Sequence, residues 1–303
     1  MSGKHESPRT GTLTGWATAL LLPLLLCHCG SKPGAGPTDA QIAARLAGHE
    51  TGTFKAPDGK DLAYVFFPAR QLNARKAVFL YYHGIESHSE WFDLTARKLA
   101  DEGYPVISVD RRGSGINREN RGFTSGHVRR GYKLVDDIQR AVEVTRQSGK
   151  YDEVYLIGLS WGGKYIMAYD AAYPNQVDGM VQVTPGMKPK VDMNFVGKLG
   201  VGADVLLSPK RQHPIPIEPT MFTTTPKWLD YIKNDPLKLH TASSSFLIQS
   251  TRMDRQIERN LDGKRPPLLV FLAGQDRIID NEATRELVTR NKQRSVKVID
   301  YPD

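Results

Sequence analysis

Beyond residue 50, most of the chain alternates between two kinds of segment that differ in how apolar and polar residues are spaced. Short runs of β-prone residues predict buried strands, and the longer stretches between them carry apolar residues at helical spacing. In residues 132–147, for example, Leu134, Ile138, Ala141 and Val142 fall on one face of a helix. This alternation predicts an α/β fold with a mostly parallel sheet and helices on both faces. The predicted strands are 77–82, 106–109, 154–157, 179–183, 267–273 and 296–301, and the predicted helices are 90–102, 132–147, 243–258 and 281–292, with one more directly after residue 160.

Two stretches depart from this alternation. Residues 52–67 carry two β-prone runs around Asp58-Gly59, which predicts a β-hairpin. From about residue 185 to about residue 265 the alternation stops, and proline, methionine and aromatic residues become frequent. The core pattern resumes at the 267–273 strand, so the intervening segment is predicted to be an insertion.

Length and charge limit the function classes. The chain has 303 residues, of which the part behind the N-terminal segment is long enough for one large α/β domain or at most two small ones. The hydrophobic fraction of 40% is ordinary and excludes a polytopic membrane protein. A net charge of +8 favours anionic surfaces such as phospholipid headgroups. The positive charges are scattered and no nucleic-acid motif is visible, so no nucleic-acid partner is predicted.

The first 29 residues are predicted to be a secretory signal peptide. Lys4 and Arg9 precede an apolar run over 13–27 that is too short to span a bilayer comfortably. A stretch rich in Ser, Lys, Pro and Gly follows, and we predict a flexible tether over 30–47 and a folded domain over 48–303. The mature protein is therefore expected outside the cytoplasm, in the cell envelope.

The end of the signal segment resembles a bacterial lipoprotein signal, in which a cysteine after the apolar run becomes lipidated. Cys29 is the predicted lipidation site because the tether-like Gly30-Ser31 follows it, and Cys27 is the alternative. His28 stands where such signals usually have a small residue. Membrane anchoring by lipid at Cys29 is thus expected, with an uncleaved anchor, secretion or a periplasmic location as alternatives. Both cysteines lie in this segment, so the domain has no disulfide and no cysteine-based metal site.

One serine stands at the centre of the most informative motif. A β-prone run leads into Gly158-Leu159-Ser160-Trp161-Gly162, and a helix-competent run follows at once. A sharp strand-to-helix turn needs close backbone approach on both sides of the serine, which glycine at 158 and 162 permits. Such a turn exposes the Ser160 hydroxyl and directs a helix N-terminus at its target. The alternative is a structural turn, but the flanking strand and helix favour a nucleophile.

This strand–turn–helix resembles the nucleophile motif of the α/β-hydrolase superfamily, in the branch of monoglyceride lipases, lysophospholipases and serine aminopeptidase-like hydrolases. The loop that begins His83-Gly84 is similar to the oxyanion loop of that family. The resemblance implies that the backbone N–H groups of Ile85 and Trp161 form an oxyanion hole, while His83 supports the shape of the loop. Residues 110–115 resemble the family's Asp-x-Arg-Gly-x-Gly turn, whose role is structural.

The resemblance also implies an acid and a cap. Asp276 stands in a Gly-x-Asp turn after the 267–273 strand, which is similar to the position of the family's acid. Asp280 competes, but it precedes a predicted helix and is better explained as its N-cap. The insertion over about 185–265 resembles the helical cap that covers the pocket in this branch, and residues 234–237 are similar to one of its motifs.

A base is missing from this set. The family places its catalytic histidine after the final strand, yet no histidine follows His240, so the catalytic histidine is expected beyond Asp303. Either the sequence is truncated or the base has been lost in evolution, and the retained Ser160 and Asp276 favour truncation. His240 is a substitute only if the cap folds it onto Ser160. The chain of 303 residues is therefore expected to have little or no activity.

Together these observations predict a serine hydrolase of carboxylic esters that acts through an acyl-enzyme. The resemblance favours a lipid-like monoacyl ester, such as a monoglyceride or lysophospholipid. Amide or peptide hydrolysis by the same residues is one alternative, and a non-catalytic binding protein of the same fold is another. No cofactor is expected. The eight histidines show no paired-ligand spacing, so no metal site is predicted.

Overall fold

The computed structural model describes residues 37–191, 193 and 195–302. The predicted signal peptide and Cys29 lie outside these residues. The helices are α1 (Asp39–Leu46), α2 (Asp93–Asp101), α3 (Tyr132–Gln147), α4 (Trp161–Ala172), α5 (Phe195–Leu207), α6 (Pro226–Asn234), α7 (Ser244–Arg259) and α8 (Asn281–Thr289). The strands are β1 (Glu50–Lys55), β2 (Asp61–Phe67), β3 (Ala77–Tyr82), β4 (Val106–Val109), β5 (Glu153–Leu159), β6 (Gly179–Val183), β7 (Gln212–Pro214), β8 (Thr241–Ser243), β9 (Leu268–Ala273) and β10 (Val296–Tyr301).

The main sheet has eight strands in the order β1-β2-β4-β3-β5-β6-β9-β10. The first two form the predicted hairpin around Asp58-Gly59, and β2 also pairs antiparallel with β4. Every other neighbouring pair, from β4 to β10, is parallel. The carboxyl ends of these parallel strands therefore lie at one edge, where α/β sheets place their sites. The prediction of a mostly parallel sheet is confirmed.

Helices cover both faces of the sheet, as the alternation predicted. Along β3, Leu80 and Tyr82 belong to a core cluster that also contains residues of α3, α4, α7 and α8. Tyr81 points the other way, into a second cluster with Ile42 of α1 and Ala96 of α2. Successive residues of one strand thus enter opposite cores, which is the two-residue period of a strand buried on both faces.

The predicted tether needs a correction at its second half. Residues 39–46 form α1, which begins at Thr38 with a capping box made with Gln41. Ile42 of this helix is buried against the sheet, and Arg45 pairs with Glu90 at 2.9 Å. Capping and burial of one apolar face stabilise a short helix that composition alone classed as flexible.

The inserted segment between β6 and β9 contains α5, α6, α7 and the small β7–β8 sheet. The last of these helices, α7, packs on α4, where its Phe246 ring lies 5.1 Å from that of Trp161. This helix is therefore part of the cover of the sheet. The boundaries of a cap within this segment stay a prediction. Within the described part of the chain, no helix is long and apolar enough to span a bilayer.

A buried contact between Glu86 and Lys238 joins the loop after β3 to the inserted segment. Glu86 and Lys238 are 2% and 5% exposed, and Lys238 Nζ lies 3.1 Å from Glu86 Oε2. The backbone N–H of Leu239 also donates to the carbonyl of Glu86 at 2.8 Å. Burial raises the pKa of Glu86 to about 7, against the lowering effect of the Lys238 charge. The carboxyl therefore keeps its proton in the folded protein at pH values where the unfolded chain has lost it.

This pKa predicts how stability changes with pH. Between pH 4.5 and about 7 the folded state binds a proton at Glu86 that the unfolded state does not, so stability is lost as the pH rises through this range. Relative to Glu86→Gln, the wild type is expected to lose about 2 kcal/mol of unfolding free energy between pH 4.5 and 7. Urea unfolding at both pH values measures this, with exposed Glu102→Gln as the matched control. Parallel pH profiles for wild type and Glu86→Gln would contradict it.

Candidate active site

Ser160 lies between β5 and α4 in a backbone conformation that is rare for a non-glycine residue. Its φ is 52° and its ψ is −120°, so the turn is strained, as is common where function constrains the backbone. Hydrogen bonds hold it on both sides: its N–H donates to Val183 O at 2.9 Å, and Gly186 N–H donates to its carbonyl at 2.7 Å. The side chain is half-buried at the carboxyl edge of the sheet.

Glycine is required at 158 and 162, on both sides of Ser160, because backbone atoms approach too closely there for a side chain. A Cβ at Gly162 would lie 2.0 Å from the carbonyl oxygen of Tyr82, and one at Gly158 would lie 2.6 Å from the carbonyl oxygen of Gly162. Neither neighbour is a flexible side chain, so any larger residue would displace α4 from β3 or β5. The sharp turn at Ser160 therefore depends on both glycines.

The loop after β3 passes directly beside the serine. A Cβ at Gly84 would lie 3.4 Å from Ser160 Cβ. Among the described residues, the backbone N–H groups of Ile85 and Trp161 donate to no acceptor of the protein. Two unpaired N–H groups on either side of a serine are what an oxyanion hole requires.

Gly186 is a residue of this site that the sequence analysis missed. A Cβ there would lie 3.0 Å from the backbone nitrogen of Trp161 and 3.1 Å from the carbonyl carbon of Ser160. The missing side chain keeps the Trp161 N–H accessible. Only the tertiary approach of the chain after β6 reveals this, because Pro185-Gly186 alone predicts an ordinary turn.

His83 is held as a neutral structural residue. It is 2% exposed; its Nε2 accepts the N–H of Arg111 at 3.2 Å, and its Nδ1 lies 2.8 Å from the carbonyl oxygen of Gly84, to which it donates. Burial, together with the charge of Arg111, holds the pKa of His83 well below its usual range. Both ring nitrogens are occupied, so this histidine does not act as the base.

The turn after β4 ties neighbouring loops together. Asp110 is fully buried and accepts the N–H groups of Ser89 at 2.6 Å and Ile116 at 2.9 Å. Arg112 donates through Nε to Asp137 at 2.6 Å and through Nη1 to Asp58 at 2.8 Å. These contacts join the turn to the loop after β3, to the β1–β2 hairpin and to α3.

A second buried carboxylate connects the loop after β3 to the inserted segment. Asp235 Oδ2 lies 2.8 Å from His88 Nε2 and accepts the indole N–H of Trp91 at 2.6 Å, while Oδ1 accepts the N–H of Leu237 at 2.9 Å. Although burial alone would raise the pKa of Asp235, these partners lower it to about 2. The motif at 234–237 was visible in the sequence, but its partners were not.

Asp276 lies on the turn after β9, at the same edge as Ser160. Its Oδ1 accepts the N–H groups of Ile278 at 2.7 Å and Ile279 at 2.8 Å, and the side chain is half-buried. Asp280 accepts the N–H of Ala283 at 3.0 Å and caps α8, as expected for the competing aspartate. The carboxyl end of β10 reaches the same turn, because Gly274 N–H donates to Tyr301 O at 2.6 Å.

None of the histidines in the described ranges makes a hydrogen bond with Ser160, and most of them bond to other residues: His49 with Asp93, His83 with Gly84, His88 with Asp235, His127 with Ser243 and His213 with Ser244. His240 is exposed, and its carbonyl accepts the N–H of Ile215. The structure therefore brings Ser160, Ile85 and Trp161 together and places Asp276 on the same edge, without a described histidine beside the serine. The same residues contain no group of three or more His, Cys, Asp or Glu side chains that could hold a metal ion.

The chain matches known proteins over most of its length. A family model described as serine aminopeptidase, S33, matches residues 73–303. The monoacylglycerol lipase of Mycolicibacterium smegmatis is 25% identical over 239 residues, which cover 75% of this chain and 80% of that protein.

Solved structures show the same fold. The monoacylglycerol lipase of Paleococcus ferrophilus aligns with a TM-score of 0.65 at 19% identity, covering 79% of this chain and 88% of that one. A soluble variant of the Saccharomyces cerevisiae monoglyceride lipase, in complex with a substrate analogue, aligns with a TM-score of 0.67 at 16% identity, covering 83% and 85%. The resemblance predicted from the serine and His-Gly motifs is thereby confirmed. The chain belongs to the serine aminopeptidase S33 family of α/β-hydrolases.

Proposed function

We propose that this protein is a serine hydrolase of carboxylic esters whose preferred substrate is a monoacyl lipid. The observation that carries the proposal is the strained turn at Ser160, flanked by the unpaired N–H groups of Ile85 and Trp161. The lipid substrate is supported by the similarity to the monoacylglycerol lipase of M. smegmatis over most of both chains.

The proposed reaction proceeds through an acyl-enzyme. Ser160 Oγ attacks the ester carbonyl carbon, and the carbonyl oxygen, which becomes negative, is held by the Ile85 and Trp161 N–H groups. The alcohol then leaves with a proton, and water hydrolyses the acyl-serine to a free acid. No residue in this scheme calls for a cofactor.

Replacement of the nucleophile tests the proposal. Ser160→Ala is expected to abolish hydrolysis of p-nitrophenyl esters and of a monoglyceride while changing stability by no more than about 1 kcal/mol, because the hydroxyl contributes little to packing. Ser148→Ala, at an exposed position after α3, is the control. A fluorophosphonate probe should label wild type and control but not Ser160→Ala. Faster cleavage of an aminoacyl amide than of any ester would favour an aminopeptidase, and equal turnover in Ser160→Ala would reject the mechanism.

We propose that the catalytic base acts at the carboxyl edge of the sheet, between Ser160 and the turn of Asp276. The end of β10 lies at this edge, and Asp276, on the same edge, is the acid that would orient an imidazole in this proposal. The catalytic histidine beyond Asp303 stays a prediction. In a serine protease, loss of the triad histidine lowers kcat by on the order of 10⁶, and the oxyanion hole retains the remaining rate.

Added imidazole tests this arrangement. The 303-residue protein is expected to hydrolyse p-nitrophenyl esters slowly and to be accelerated by imidazole, because a free imidazole can accept the Ser160 proton where no described histidine does. Ser160→Ala measures the background reaction of imidazole with the ester. Rapid turnover without imidazole, lost in His240→Ala, would instead identify His240 as the base.

We further propose that α5 places the protein on an anionic phospholipid surface. Leu199, Leu206 and Leu207 are 58%, 85% and 82% exposed, and Gly202 and Ala203 continue the same stripe. Exposed Lys210 and Arg211 follow this stripe. The acidic residue of α5, Asp204, is buried and lies 3.0 Å from Arg211. An apolar stripe followed by basic residues matches a helix lying in a lipid interface. The lipid anchor at Cys29 stays a separate prediction.

Hydrogen exchange on vesicles distinguishes α5 from the N-terminal segment. Phosphatidylglycerol vesicles are expected to protect residues 199–207 of the full chain, whereas phosphatidylcholine vesicles should protect them less because the basic residues find no anionic partner. Leu206→Gln with Leu207→Gln should remove the protection and weaken binding by on the order of 10²-fold or more, since each of the two buried leucines contributes about 1.5–3 kcal/mol. Leu94→Gln, at a 58% exposed position on α2, is the control. Vesicle binding that leaves 199–207 unprotected would contradict the proposal.

A further inference from the structure

A buried arginine with no carboxylate partner lies next to the oxyanion loop. Arg111 is 3% exposed. Within the described residues no carboxylate oxygen lies within 4.0 Å of its guanidinium. Of the other three buried arginines there, Arg112 and Arg294 pair with Asp137 and Asp170, whereas Arg118 also has no carboxylate within this distance. A buried charge without a counter-ion is costly, so its retention calls for an explanation.

The guanidinium donates to backbone carbonyls of the oxyanion loop. Its Nη1 donates to Gly84 O at 2.7 Å, and its Nη2 donates to Ile85 O. Its Cζ lies 5.0 Å from the ring centroid of Trp161 and 5.4 Å from that of Phe246. The arginine therefore contacts both residues whose N–H groups form the oxyanion hole.

The contact between Arg111 and the Gly84 carbonyl also affects the N–H of Ile85. The carbonyl of Gly84 and the N–H of Ile85 belong to one peptide plane, and no cis peptide bond is present among the described residues. In a trans peptide these two groups point in opposite directions, so fixing the carbonyl also fixes the direction of the N–H. A cationic donor on the carbonyl also polarises the amide and makes its N–H a stronger donor.

We propose that Arg111 is a positioning residue that orients the Ile85 N–H through the Gly84 carbonyl and supplies positive charge beside the oxyanion hole. This inference rests on the proposed function, since it assigns the loop to oxyanion binding. The predicted structural turn at 110–115 thus contains two different arginines. Arg112 links loops through carboxylates, and Arg111 serves the site.

Three variants separate charge from shape. Arg111→Met keeps an unbranched side chain between Trp161 and Phe246 but removes the charge and the donors. It is expected to lower kcat for a p-nitrophenyl ester by about 10²-fold, as for loss of an oxyanion donor, with KM changed less than about threefold. Arg111→Lys should recover part of kcat. Arg111→Ala should be reactivated by methylguanidinium, which can fill the vacated space, and not by sodium ion at equal ionic strength.

The matched control is Arg294→Lys. Arg294 is also buried, but it precedes β10 at the opposite edge of the sheet and retains an ion pair with Asp170 as lysine. The kcat of Arg294→Lys is expected to stay within about twofold of the wild type, because Arg294 contacts no part of the site. A loss of kcat in Arg294→Lys equal to that in Arg111→Met would show that destabilisation alone lowers activity, and would overturn the proposal.

Hydrogen exchange of residues 84–88 provides a readout that does not depend on catalysis. These amides are expected to exchange faster in Arg111→Met than in the wild type and to be restored in Arg111→Lys. Unchanged exchange in Arg111→Met, or unchanged kcat with an active wild type, would overturn the proposal. If the wild type hydrolyses no ester even with imidazole, the proposed function fails, and the exchange rates alone then decide whether Arg111 positions the loop.

Discussion

The left-handed backbone at Ser160 is the constraint on which the rest of the site depends. A residue with φ of 52° between a strand and a helix brings the first turn of α4 against β3 and β5. That approach leaves no room for a Cβ at Gly158 or Gly162, and it exposes the Trp161 N–H at the carboxyl edge. The strain at Ser160 is maintained because its N–H donates to Val183 at the end of β6 and its carbonyl accepts the N–H of Gly186 just beyond that strand.

The loop after β3, the proposed oxyanion loop, is held by buried polar groups and not by packing alone. Arg111 holds its carbonyls, Asp110 accepts the N–H of Ser89, and Asp235 holds His88 and Trp91 from the inserted segment. Buried hydrogen bonds of this kind are costly to leave unmade, so each restricts the loop to one arrangement. The loop that supplies the Ile85 N–H is therefore coupled both to the sheet and to the segment that follows β6.

Different parts of the inserted segment contact the core, the solvent and the loop after β3. Its α7 is buried on α4 and belongs to the core, whereas α5 presents leucines to the outside and exposed basic residues follow it at 210 and 211. The residues between them, around Asp235 and Lys238, contact the oxyanion loop. The proposed membrane contact at α5 would thus lie on the same inserted segment as the groups that hold the loop after β3.

Much of this protein was determined by local sequence. The central strands followed from short continuous apolar runs, because a parallel sheet buries both faces of its strands, and the helices that cover the sheet followed from apolar residues at helical spacing. The turn at Ser160 and the cap at Asp280 followed from residue types that few other local structures require. The sequence also indicated the family through its motifs, and the match over residues 73–303 confirmed it.

The tertiary structure decided the rest, because it depends on contacts between residues far apart in the chain. Gly186 matters only since the chain after β6 returns to Trp161, and α1 forms where composition indicated a tether because Ile42 finds a buried position. Arg111 and Arg112 are adjacent and chemically alike. Arg112 nevertheless donates to carboxylates, whereas Arg111 donates to backbone carbonyls of the loop after β3. No local pattern distinguishes the two arginines, because their environments are set by segments separated by 25 or more residues.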